Sequence, residues 1–264
     1  MKSFKVSQVL AVLVLSLGCA TTVFAGPISG SLVAQKFVDL NLTTEGTLDW
    51  AVWGEGSSTS LAPTTRMSGG GGSISNLTQL SNGLRNVGHF GDYGESNFDW
   101  TNGTPNASAT HRFTGIQFVN VDGGQDGLPG DGTTSGDGFS FTVAAGTTPE
   151  ELRLYMTVNF GTALLTATLS DGGTLTQNLN IYPGSGGFNG PYLSTIDFNA
   201  LLAGQTLTVT VRLTQSNLNA NVAIQGLDLS FPSQQQSDTV PEPATISLVG
   251  ISLAGLFAKL KKKQ

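Results

Sequence analysis

The sequence predicts an all-β fold, an antiparallel β-sandwich of jelly-roll type, exported behind a signal peptide and followed by one C-terminal transmembrane helix. Three observations carry this prediction. Of 264 residues, 35 are glycine and only 11% are charged, against ordinary shares of roughly 7% and 25%; Gly, Ser, Thr and Asn break helices and serve turns. Apolar residues in the second half recur at every second position, the period of a half-buried strand. Both ends, by contrast, are apolar runs flanked by lysine.

The same composition excludes several function classes. Twelve Lys and Arg against eighteen Asp and Glu, a net charge of −6, leave too little basic surface to track a phosphate backbone, so nucleic acid is not an expected partner. One cysteine closes no internal disulfide and builds no thiolate metal cage.

In chain order, Lys2 and Lys5 precede the apolar run 9–17, and Val23-Phe24-Ala25 sets small residues at the −3 and −1 positions of a cut between Ala25 and Gly26. Residues 1–25 therefore read as a secretory leader. Leu17-Gly18-Cys19 resembles a lipoprotein cleavage box, except that Ser16 stands where that pattern prefers leucine; without lipidation, Cys19 leaves with the leader.

Residues 26–239 form the exported domain, with six basic and seventeen acidic residues, a net charge of −11. In its first half strands are expected at 31–42, 47–53, 86–90, 98–101 and 112–119. The Gly/Ser/Thr stretch 54–72 reads as a loop too flexible to pack. In its second half, Leu152, Leu154, Met156 and Val158 share one strand face, and Ala163, Leu165, Ala167 and Leu169 another. Asp171-Gly172-Gly173 supplies a hairpin reversal toward Leu175, Leu179 and Ile181. Leu207, Val209, Val211 and Leu213 alternate with threonines; Val222 and Ile224 are followed by Leu227, Leu229 and Phe231, so the apolar parity switches at Gly226, a β-bulge position.

Residues 240–264 are a third segment. Pro241 and Pro243 keep a helix from starting before Ala244. A helix over 244–260 would extend about 25 Å, slightly short of a ~30 Å hydrocarbon core, and the lysines from 259 onward can snorkel. The uncharged span 245–258 is the expected membrane helix, with its lysine tail cytoplasmic.

Candidate sites are few. His89 and His111 form no zinc motif, and no nucleophile elbow or dinucleotide turn is present. Asp92, Glu95 and Asp99 could supply the two carboxylates of a glycosidase, although acidic residues so close in sequence more commonly mark a solvated loop. Asp122, Asp126, Asp131 and Asp137 in a glycine-rich stretch offer oxygens for calcium, without the spacing of a tight calcium loop; the alternative is an acidic turn. Sugar binding requires an exposed aromatic face beside hydrogen-bonding groups. Tyr182, Phe188 and Tyr192 in a Gly/Pro loop, and Tyr93 beside Asp92, are the candidates, whereas Trp50, Trp53 and Trp100 read as core.

Val240-Pro241-Glu242-Pro243-Ala244, the apolar span and the basic tail together resemble the PEP-CTERM sorting signal of bacterial surface proteins. The resemblance implies recognition of Pro241-Glu242-Pro243 by an exosortase, membrane anchoring before processing, and association with exopolysaccharide or biofilm matrix. A second resemblance runs through Asp49-Trp50-Ala51-Val52-Trp53-Gly54, 98–105, Gly138-Phe139-Ser140-Phe141, Leu152-Arg153-Leu154-Tyr155 and 167–172. This order of motifs is similar to that of β-sandwich accessory modules of secreted polysaccharide-associated proteins, and implies a galactose-binding-like or lectin-like architecture. The expectation is a non-enzymatic surface protein that contacts extracellular polysaccharide. Its alternatives are a structural matrix protein without a ligand and a weak glycoside hydrolase.

Overall fold

A computed structural model describes residues 25–70, 72–80, 84–87, 96–119, 137–180 and 190–232. The chain opens with β1 (Ile28–Val33), β2 (Leu40–Asn41) and a single helical turn, α1 (Leu42–Glu45). It continues through β3 (Asp49–Val52), β4 (Thr65–Met67), β5 (Thr78–Gln79), β6 (Leu84–Val87), β7 (Asn97–Trp100), β8 (Gly103–Thr104), β9 (Ala109–Phe113) and β10 (Ile116–Val119). Five more strands follow: β11 (Gly138–Ala145), β12 (Glu150–Leu169), β13 (Thr174–Leu179), β14 (Tyr192–Phe198) and β15 (Gln205–Ser230). Among the described residues this is a nearly all-β protein, as the composition predicts.

The frame of the sandwich is one antiparallel ribbon, β12 against β15, paired from Glu151↔Ser230 to Leu169↔Leu207 with three shifts of register. Its proximal half, the start of β12 and the end of β15, carries β14 and β1 on one side and β3 and β10 on the other. Its distal half carries β13 on one side and β11 with β5 on the other. Between the halves the pairing slips at Asn159/Gly161 and Thr162/Ala163, and Phe160 has a left-handed φ of 55°. The slip inverts facing: core positions are even over 152–158 and odd over 163–169, and both sets join one apolar cluster. The expected separate strands are thus one bent strand folded over its own core.

The bulge expected at Gly226 is present. Tyr155 pairs with Gly226 and Met156 with Ile224, which leaves Gln225 as the extra residue. The Gln225 carbonyl accepts the Thr114 hydroxyl (2.7 Å) and its Oε1 the Ser96 N–H (3.3 Å). The Asp171-Gly172-Gly173 reversal joins β12 to β13, with Gly172 N–H donating to Leu169 O.

Three expectations in the first half are corrected. The strand expected over 31–42 is interrupted: β1 ends at Val33, Asp39 adopts φ 53°, pairing resumes only over β2, and Asn41 then caps α1 by accepting the Thr43 N–H at 3.0 Å, an N-cap that starts a helical turn where the strand was expected to run on. The strand expected over 112–119 is split into β9 and β10 at Thr114-Gly115. The stretch 54–72 is not all loop: within it β4 and a 3-10 turn over Glu55–Ser57 form, and Thr65 is wholly buried. Gly54, at φ 77°, lets the Gly115 carbonyl pass where any side chain would stand.

A second layer covers the outer face of the proximal half. β2, β7 and β9 form a small sheet, with β2 parallel to β7. Its Phe98 and Trp100 pack with Leu42 of α1 onto Trp50, Val52 and Tyr155. The three tryptophans are core, as expected, each fully buried.

Candidate functional site

The outer layer sets a closed charged cluster beside an open polar groove. In the cluster, Arg153 of β12 faces Asp228 of β15, with Nε 3.1 Å from Oδ1, and donates from Nη1 to Glu45 Oε2 of α1 at 2.7 Å. The Tyr155 hydroxyl donates to Asp228 Oδ2 at 2.7 Å. Burial pushes the Asp228 carboxyl up to about 6, against the lowering pull of Arg153 and of the tyrosine bond. These groups tie α1 to the main sheet; Asp228 and Tyr155 are buried, so the cluster is an anchor.

The groove lies over β7 and β9. A cavity of about 560 Å³ is lined by Asn41, Asp99, Trp100, Thr101, Ser108, Ala109, Thr110 and Arg112. A second, of about 320 Å³, is lined by Glu55, Gly56, Thr64, Asn106 and Arg112, so Arg112 is the wall they share. The pairing of β7 with β9 slips between Phe98 and Trp100. There Asp99 Oδ1 accepts the His111 N–H at 2.7 Å, and His111 Nδ1 lies 2.6 Å from Asp39 Oδ1. His111 and Asp39 both sit at left-handed φ, 50° and 53°, conformations that cost energy in non-glycine residues and concentrate at binding sites. Arg112 is held loosely, its Nε 3.7 Å from Glu55 Oε1, while Glu55 Oε2 accepts from Asn106 Nδ2 at 2.8 Å. Chemically the groove offers amide, hydroxyl, carboxylate and guanidinium groups, a donor and acceptor set matched to a polyhydroxylated ligand.

Tyr192 is not an exposed stacking face: it lies in β14 with 1% of its surface accessible, within the inter-sheet core. Its neighbours at the same parity, Ser194, Ile196 and Phe198, are buried too. Tyr182, Phe188, Tyr93, Asp92 and Glu95 lie outside the described residues, as do Asp122, Asp126 and Asp131. Asp137 is buried, and its carbonyl accepts the Leu213 N–H at 2.8 Å. No cluster of three metal-ligating side chains occurs among the described residues. Asp99 of the carboxylate trio lines the groove, where its Oδ1 serves the His111 backbone. Ala25 is exposed and Gly26 buried. Pro241, Glu242, Pro243 and the expected helix 245–258 lie outside the described residues, among which no helix is long and apolar enough to cross a membrane. The groove itself, which sets Asn41 of β2 against residues of β7 and β9 58 to 71 positions further on, was not expected; of its lining only Asp99 was singled out in the sequence, as a candidate carboxylate.

Residues 239–263 match the PEP-CTERM protein-sorting motif, so the chain carries the signal of an exported protein held at the membrane before exosortase processing. No curated protein sequence matches the chain. Among solved structures it is similar to TmCBM61 in complex with β-1,4-galactotriose, at 10% identity over 59% of this chain and 87% of that one, with a TM-score of 0.34. It is similar to the CBM22-1 xylan-binding domain of Xyn10C from Paenibacillus barcinonensis, at 11% identity over 68% and 90%, TM-score 0.32. A third is the K1 cleaved adhesin domain of Lys-gingipain from Porphyromonas gingivalis, at 12% identity over 60% and 98%, TM-score 0.32. At these scores the likenesses carry no argument, and the sandwich rests on the chain's own strand pairing.

Proposed function

We propose that the chain is a surface-sorted, non-enzymatic protein whose sandwich contacts extracellular polysaccharide through the groove around Arg112 and Asp99. The sorting match at 239–263 supports the location, and the polar lining of the groove supports the ligand class. Pyranose hydroxyls donate to the Asp99 carboxylate and accept from the Arg112 guanidinium, while Thr101, Ser108 and Thr110 do either; the one aromatic in the lining, Trp100, is buried, so recognition here rests on hydrogen bonds in place of the aromatic stacking expected at the tyrosines. Each neutral hydrogen bond exchanged for water contributes only about 1 kcal/mol, so binding is weak per site and gains strength from many copies displayed along one polymer.

The test is affinity electrophoresis of the exported domain through gels cast with the polysaccharide of the producing cell. Retardation that is lost in Arg112→Ala is expected; equal mobility of both proteins with and without polymer overturns the carbohydrate reading. Replacing Pro241, Glu242 and Pro243 by alanine is expected to remove the protein from the cell surface, and unchanged display refutes exosortase sorting. Calcium held by Asp122, Asp126, Asp131 and Asp137 would make the melting temperature fall on chelation; a chelator that leaves it unchanged speaks against that site.

A further inference from the structure

The leader cut and the first strand meet at one carboxylate. Gly26 is buried although Ala25 before it is exposed, and it occupies a cradle at the β12–β13 turn. A methyl group on Gly26 would collide with the Asn199 carbonyl and stand 2.7 Å from Asp171 Oδ2 and 3.2 Å from Leu169. The Pro27 carbonyl accepts the Asn199 N–H at 3.3 Å, so the chain is fixed on both sides of the cradle before β1 begins to pair with β14 at Ile28↔Phe198. Asp171 is the acceptor at its mouth: Oδ2 takes the Leu201 N–H at 3.3 Å and Oδ1 the Gly173 N–H at 3.5 Å. Partial loss of solvent raises this carboxyl, but the backbone N–H groups of Gly26, Leu201 and Gly173 outweigh it and hold it below its ordinary value.

We propose that Asp171 is the receptor for the new α-ammonium that leader removal creates at Gly26, so that maturation installs an ion pair clamping β1 to the β12–β13 turn. The inference rests on cleavage after Ala25. Hydrolysis of that peptide bond adds water: the hydroxyl goes to the Ala25 carbonyl carbon and a proton to Gly26 N, which takes up a second proton from solvent at neutral pH. A single amide donor facing Asp171 becomes a charged group with three donors, and opposite charges at this range favour each other's ionised forms. The geometry also explains the residue after the cut. Only glycine fits the cradle, and one extra residue at the start would carry the charge about 3.8 Å away along the chain.

The experiment uses the exported protein from the producing cell, its start read by intact mass and N-terminal sequencing, with Asp171→Asn and a chain beginning at Ala25 as variants. At pH 7.5, acylation of the α-amine is expected to run about tenfold slower in the native mature protein than in Asp171→Asn, the effect of one unit of stabilised protonation. The Ala25-initiated chain, which keeps Asp171, is expected to react at the faster rate even where Asp171→Asn does not fold. A start at Cys19 or elsewhere overturns the leader assignment and the ion pair together. A start at Gly26 with equal rates in native and variant chains overturns the ion pair and leaves the leader assignment standing. Neither result bears on the polysaccharide groove.

Discussion

The two faces of the proximal β12–β15 half are buried by different means. Its inner face meets the distal half in an apolar cluster drawn from both long strands, with Leu152, Leu154, Met156 and Val158 opposite Ala163, Leu165, Ala167 and Leu169. Its outer face is covered by a few large aromatics interleaved with charge: Trp50, Phe98, Trp100 and Tyr155 beside Arg153 and Asp228. Close packing of aliphatic side chains is non-directional and tolerates repacking, whereas aromatic edges, indole N–H groups and ion pairs demand particular partners. The inner face therefore supplies stability, and the outer face supplies a shaped, polar surface on which a groove can sit.

The largest effects test that division. Trp50 packs on Trp100 with ring centroids 5.5 Å apart and donates its indole N–H to Asn102 Oδ1 at 3.0 Å. Trp50→Ala is expected to cost about 4 kcal/mol and to release β7, β9 and α1 first. In hydrogen exchange those elements should lose protection while distal β12 and β15 keep theirs. Leu165→Ala, in the inter-sheet core, is expected to cost about 3 kcal/mol with protection lost everywhere at once. If both variants lose protection uniformly, the two faces are one cooperative unit and the division is wrong.

The next effect is electrostatic, and its sign follows from linkage. Native Asp228 holds its proton up to about pH 6, whereas the unfolded carboxyl releases it near 3.8. Between those values the native state binds more protons, so this stabilising contribution is full below about pH 3.8 and is lost as pH rises to about 6. Burial raises the carboxyls of Asp49 and Glu150 in the same direction. Chemical denaturation at pH 4 and pH 6.5 should show wild type losing up to about 3 kcal/mol more than Asp228→Asn over that interval. Equal losses would mean that Asp228 is ionised across the whole range and that the outer anchor is an ordinary ion pair.

How far each face could be read in advance follows from the same physics. The inner face was legible because β12 and β15 are long enough for period two to repeat, and because the parity switch at Gly226 marked the bulge that the pairing of Tyr155 with Gly226 shows. That the alternating segments were one bent strand was hidden at Phe160, whose left-handed φ has no sequence signature in a bulky residue. Tyr192 was misread through its Gly/Pro neighbours although it shares the parity of Ile196 and Phe198. The outer layer was only partly legible: β7 and β9 fall where strands were expected, but β2 has two residues, too few to show a period, as have β4 and β8 at the edge of the main sheet, with three and two. Likewise Glu55, within the stretch expected to be loop, is held by hydrogen bonds to distant groups, such as Asn106 Nδ2 to Glu55 Oε2, that no local pattern announces. Asn41, Asp99 and Arg112 become neighbours only through the pairing of β2, β7 and β9.

Where the two faces come closest, a smaller effect is expected. A methyl group on Gly226 would lie 3.2 Å from Val52 Cγ1 and 3.3 Å from Phe98 Cζ, so Gly226→Ala presses the outer layer away from the sheet. Thermal unfolding should report about 1 kcal/mol of destabilisation, recovered when Phe98 is shortened to leucine in the same chain. Failure of the second change to recover any of it would place the crowding in β3 rather than in the outer layer.

The smallest effect on stability is expected at the groove, and it matters because it separates binding from folding. Arg112 has 57% of its side chain exposed, and its ion pair with Glu55 is 3.7 Å long, the kind of surface pair worth between nothing and about 1 kcal/mol. Arg112→Ala should therefore leave the unfolding free energy within about 0.5 kcal/mol of wild type, while retention on polysaccharide falls. A loss of stability as large as that of Trp50→Ala would make Arg112 part of the outer layer's packing; reduced retention would then report a damaged fold, and the groove would lose its claim to a ligand. Unchanged stability with reduced retention assigns the arginine to the surface that the outer layer exists to present.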